Sequence, residues 1–211
     1  AAYVLPGLFG REPWKGNEIT ALGHMLALAQ GQSDWLNPTA WGVPPALDAL
    51  IPYWLGAWAI QIAPHWMPQA LAARIPFGML LGLTLAATWH GAYYLALSPQ
   101  AQPVPFAFGG EAKPKDYART IADGAVLALI ACLGLALLSH EASPILAQLA
   151  FVSCAFYGVA ALPYHPRYSL SALSIALLGL CLSGAPSFAV LMAVGSGLLC
   201  LLDRQSTSVR T

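Results

Sequence analysis

No charged side chain stands between Arg74 and Glu111, and none between Arg167 and Asp203; the gaps are 36 and 35 residues long. A third gap, of 25 residues, separates Glu141 from Arg167. A helix needs about 20 apolar residues to cross a hydrocarbon core about 30 Å thick. Stretches of this length therefore predict helices that span a bilayer. Only 9% of the chain is charged, against roughly 25% in soluble domains. The apolar stretches are continuous and rich in Leu and Ala, without the alternation of a membrane β-barrel. A helix also satisfies its own backbone in lipid. The expected fold is all-α: a polytopic integral membrane helical bundle with an outer-face juxtamembrane helical loop. A formal net charge of zero gives no electrostatic case for nucleic acid.

Five spans are expected, at about 70–97, 118–139, 143–162, 169–183 and 185–202. Lys113, Lys115, Arg119, Arg167, Arg204 and Arg210 gather on one side of them. The positive-inside rule puts that side in the cytoplasm, together with a polar tail over 203–211. Residues 10–69 then lie on the outer face of a cytoplasmic (inner) membrane, against the vote of Arg11 and Lys15. Residues 1–9 are apolar but too few to span, and read as the end of a truncated first transmembrane helix. The turn at His140-Glu141 is expected to be solvated. Cys132, Cys154, Cys181 and Cys200 lie in apolar segments without CxxC spacing, and read as small packing residues. No paired broken helices or internal repeat suggest a transporter.

Six of the seven tryptophans fall within 10–69. Tryptophan favours the headgroup level, so this region is expected to lie on the outer leaflet. Two amphipathic helices are predicted there, over Glu18–Gln30 and Ala46–Ala63. Asn37-Pro38 and Val43-Pro44-Pro45 enforce an extended connection between them.

Chemistry has one natural home, Arg11-Glu12-Pro13-Trp14-Lys15-Gly16-Asn17-Glu18. A carboxylate here can act as a general base toward an acceptor hydroxyl, and Arg11 or Lys15 can neutralise a phosphate. The structural alternative is that Asn17 caps the next helix, Glu18 favours its first turn and the cations anchor at headgroups. Arg74, at the outer end of its span, either holds a lipid phosphate or snorkels. Asp123 is expected near the headgroups, and His90 is expected to bond a neighbouring helix. His24 and Glu18 do not share a helical face, so a joint metal site is not supported. No metal ligands are assigned, and the cofactor is unknown.

The order of these pieces carries a resemblance. Trp14-Lys15-Gly16-Asn17-Glu18 is followed by an amphipathic helix, then Gly31-Gln32-Ser33-Asp34-Trp35-Leu36-Asn37-Pro38. Gly42–Pro45, Pro52-Tyr53-Trp54-Leu55, Ala72–Pro76 and the late Gly179–Pro186 come in the same order. This resembles the amino-terminal portion of the GT-C glycosyltransferases that use polyprenyl-phosphate sugars, the aminoarabinose-transferase and protein-mannosyltransferase-like enzymes. The resemblance implies transfer of a sugar from a polyprenyl phosphate carrier to an acceptor on the outer face. It implies catalytic roles for Glu18 and Asn17, and lipid-phosphate binding by Arg11, Lys15 and Arg74. The implied partners are membrane lipids and a polyprenyl-phosphate-linked sugar. The chain departs from the family pattern at Asn17, where an Asp is expected, at Gly42-Val43, where a Glu-Lys is expected, and at Ile19-Thr20, where an Arg is often found. Those departures keep a second reading open: a catalytically silent subunit or scaffold that binds lipid or a partner membrane protein.

Overall fold

The computed structural model describes residues 3–6, 9, 12–104, 112–138 and 140–209, with side chains for all of these but 137, 138 and 203–209. Within them the chain is all-helical, with eight α-helices: α1 (Gly16–Ala29), α2 (Ile51–Ile62), α3 (Gln69–Leu97), α4 (Pro114–Ala131), α5 (Leu133–Leu138), α6 (Pro144–Ala161), α7 (Pro166–Leu182) and α8 (Pro186–Val209). Helices α3 and α6 are long and apolar enough to cross a membrane; α7 and Pro186–Leu202 are shorter apolar helices.

Proline opens four of these helices at the first position, where its missing N–H costs no hydrogen bond. Gly31 and Gly184 close α1 and α7 with positive φ. In both cases the glycine N–H and the next N–H return to carbonyls of the last turn, at Leu28 and Ala27 and at Cys181 and Leu180. This satisfies carbonyls that a helix end otherwise leaves open.

Helix α3 is the axis. It packs on α4 along one side and α6 along another; α7 packs on α6, and α8 on α7. Helices α1 and α2 pack on each other and on the N-terminal end of α3. Met25, Leu28, Tyr53, Phe77, Leu81 and Leu146 fill the core where these elements meet. Burying a side chain of this size stabilises by roughly 1.5–3 kcal/mol. The Leu50 N–H also donates to the Leu182 carbonyl at 2.7 Å, and Gln148 donates to the Ser183 carbonyl at 2.7 Å. These bonds fasten the segment before α2, and α6, to the end of α7 and the turn that follows it.

Several boundaries differ from the sequence expectation; α7 begins at Pro166 and not at 169, and α8 runs on to Val209 and not to 202. Helix α1 begins at Gly16 with Lys15 at its N-cap, so Asn17 sits inside the first turn and does not cap it. Helix α2 begins at Ile51, with Leu50 at its N-cap giving its N–H to the Leu182 carbonyl. The stretch expected as one span over 118–139 runs as α4 and α5, with the helix interrupted at Cys132, where ψ is 119°.

The four tryptophans between Gly16 and Ile62 divide into two sets. Trp35 and Trp58 stack at 6.0 Å, and the Trp54 indole N–H donates to the Trp35 carbonyl at 2.7 Å. Trp41 instead stands 92% exposed on a two-residue turn, with φ of 51° at Trp41 and 79° at Gly42, closed by the Ala40–Val43 bridge.

Helices α6 and α7 approach closely at Gly158, where an added Cβ would stand 3.1 Å from both the Leu173 Cβ and the Ser169 carbonyl. Gly158→Leu is expected to cost about 1–3 kcal/mol and to lower the thermal midpoint in detergent. Gly82→Ala, which meets nothing within 4 Å, should hold or raise it.

Candidate functional site

The N-terminal end of α3 carries a buried ion pair. Arg74 Nε donates to Glu18 Oε1 at 3.0 Å, and the two side chains are 3% and 1% exposed. Glu18 belongs to the first turn of α1, so the bond pins α1 onto α3. Such a pair is costly to desolvate, but removing one partner is costlier still, about 3–5 kcal/mol.

A second ion pair joins Lys15 to Glu141. Glu141 is buried and Lys15 is about one-third exposed, with its ammonium 5.3 Å from the Trp14 ring. The His140 Nε2–H donates to the Tyr3 carbonyl at 2.8 Å. The expectation of a solvated His140-Glu141 turn is therefore overturned. The turn is covered because Lys15 gives Glu141 a charge partner. Arg74, in the same way, turns inward to Glu18 and does not reach out to headgroups.

Beside these pairs lies a cavity of about 320 Å³. Helix α1 contributes Asn17, Thr20 and Ala21. Ala46 and Leu47 form a second wall, Tyr53 of α2 a third, and Ser143, Pro144 and Ile145 at the start of α6 the fourth. Its polar groups are neutral amide and hydroxyl. The Ser143 hydroxyl is fully buried and has no hydrogen-bond partner among the described residues. Burial, and secondarily Asp48, push the Tyr53 phenol up to about 12, so it remains a proton donor at any working pH. The cavity can thus hold a hydroxyl-bearing group, but its lining residues include no ionised base.

Behind the cavity, His24 is buried against Tyr53 with ring centroids 5.4 Å apart. Neither ring nitrogen has a hydrogen-bond partner among the described residues. Burial lowers its pKa below the ordinary 6.5.

Of the residues singled out from sequence, Asn17 lines the cavity. Glu18 and Arg74 meet each other, Lys15 meets Glu141, and Arg11 lies outside the described residues. Among the described residues no three of His, Cys, Asp and Glu come close enough to hold a metal ion. Sequence reasoning missed Tyr53, Thr20 and Ser143 as lining groups. Thr20 was within reach of it, lying one turn on from Asn17. Ser143 was not, because it reaches the cavity only through the packing of α6. No protein-family model, curated protein or solved structure matches the chain.

Two outcomes are expected. Arg74→Met should lower unfolding stability by about 3 kcal/mol or more, and a cycle with Glu18→Gln should return part of that loss. The His24 shift makes stability pH-dependent. A base whose folded pKa is depressed leaves the unfolded state holding the extra proton. Its stability contribution is complete above 6.5 and is lost as pH falls below that value. Unfolding midpoints measured between about pH 7.5 and pH 5.5 should fall, and His24→Leu should flatten that slope.

Proposed function

We propose that the chain is a polytopic membrane protein of the GT-C glycosyltransferase type, set in the cytoplasmic membrane with α1, α2 and the cavity on the outer face. Its activity on this reading is transfer of a sugar from a polyprenyl phosphate carrier to an acceptor at that face. One observation carries the reading. Asn17, at the place of the family acid, is the residue of the Asn17-Glu18 pair that lines the cavity, in company with Thr20, Tyr53 and Ser143. The charge-free stretches, the apolar α3 and α6, and the basic residues gathered at the far end support the membrane placement.

In this reading Asn17 and Tyr53 orient the hydroxyl-bearing group, and Lys15, the more exposed of the two paired cations, faces the carrier phosphate. Arg74 acts by holding Glu18 and α1 in place. A specific observation favours the second reading, a silent GT-C-like scaffold or subunit. Asn17 cannot accept a proton, Tyr53 stays protonated, and Glu18 is committed to Arg74.

Sugar transfer in native membranes distinguishes the two. If the wild type transfers sugar, the chain is an enzyme; loss of transfer in a Glu18→Gln variant that keeps the wild-type unfolding midpoint then gives Glu18 a role beyond holding α1 in place. A silent wild type that gains transfer on Asn17→Asp is the scaffold reading. Absence of transfer from both the wild type and Asn17→Asp would overturn the transferase assignment of the cavity.

A further inference from the structure

A second cavity, again of about 320 Å³, lies in the side of the bundle between α3, α6 and α7. Leu83, Ala86, Ala87, Phe151, Cys154, Ala172 and Ile175 form its walls, with His90 and Tyr157 at one end. It is not a place where the helices merely fail to meet. Added Cβ atoms at Gly179 and Gly91 would stand 2.3 and 2.4 Å from the rings of Phe151 and Phe156, and Gly158 meets the α7 backbone. The helices are drawn together at both ends of the slot, and it stays open between them because alanines and a cysteine line it.

The slot has a direction. Leu83 and His90 are seven positions apart on α3, about 10 Å of helix, and the polar groups lie only at the His90 end. The His90 Nδ1–H donates to the Ala86 carbonyl of its own helix at 2.8 Å, not to a neighbouring helix as the sequence suggested. Tyr157 lies edge-on to His90 with centroids 6.2 Å apart, and Tyr94 carries the belt on to Tyr164 and His165. Arg167 is exposed in the first turn of α7 at this same end. An apolar slot that runs into aromatic hydroxyls, an imidazole and a cation matches an amphiphile with an anionic head at the membrane interface.

We infer that this slot is a binding site for one acyl chain of a phospholipid of the cytoplasmic leaflet, its phosphate at the His90–Arg167 end. Position decides against the polyprenyl carrier as occupant. His90 is 16 positions along α3 from Arg74, about 24 Å, so the polar end of the slot faces away from the Asn17 cavity. A carrier with its head at that cavity would enter from the opposite leaflet. The inference rests on the membrane placement proposed above, and not on sugar transfer.

The full chain is reconstituted in nanodiscs of phosphatidylethanolamine and phosphatidylglycerol, doped with phosphatidylethanolamine that carries a mid-chain diazirine. After illumination, cross-links are mapped by peptide mass spectrometry. Cross-linking within 151–157 and 172–175 is expected to exceed that at the exposed Leu191 and Leu198 of α8 about tenfold, the equivalent of roughly two buried methylenes. Ala172→Phe, and independently Ala86→Phe at an exposed wall position, should remove that excess. Equal labelling of slot and α8, an excess that survives both substitutions, or displacement of the probe by polyprenyl phosphate alone would each overturn the site. A chain that stays in solution without detergent would instead overturn the membrane placement itself.

Discussion

The Arg74–Glu18 pair is the constraint on which the cavity end of this molecule depends. A charge placed in an apolar protein must find its counter-charge or stay out. Arg74 lies at the head of the long apolar α3, and Glu18 opens α1. Their bond fixes where α1 sits, and α1 in turn presents Asn17 and Thr20 to the space before α2 and α6. Lys15 and Glu141 repeat the device from the other side and tie the start of α1 to the turn before α6. Two charge pairs thus orient a segment whose own helix has no side-chain cap.

The same economy of charge shapes the cavity. With the carboxylates of Glu18 and Glu141 spent on cations, what lines the cavity is amide, hydroxyl and apolar carbon. Such a wall suits a hydroxyl-bearing ligand and gives it hydrogen bonds that it would otherwise make to water. It supplies no group to take a proton. Scaffold and chemistry therefore separate at one side chain: an aspartate at position 17 would turn a binding surface into one able to do acid–base work.

Much of the fold was legible in the sequence, because long charge-free runs leave helix as the economical answer. The helical identity of α3, α6, α7 and α8 followed from those runs, and that of α1 and α2 from apolar residues at helical spacing. The break at Cys132 did not, since only Gly134 nearby hints at it. The site was half legible. Asn17, Glu18, Lys15 and Arg74 stood out as polar residues in an apolar chain, but which of them would pair was hidden. The Lys15–Glu141 contact spans 126 positions, and no local rule reports an interaction of that range. Trp41 is a further case: tryptophan is a poor guess for a left-handed turn position, and only the following glycine hints at it.

On the proposed reading, the cavity that Asn17 lines opens on the outer side of the membrane. The most direct test is to label Asn17→Cys in intact cells with a membrane-impermeant maleimide, over a background in which the four native cysteines are serine. Labelling from outside is expected, slowed when lipid-linked sugar is added to the membrane. Labelling that requires permeabilised cells, or that proceeds only after the protein is unfolded, would contradict it.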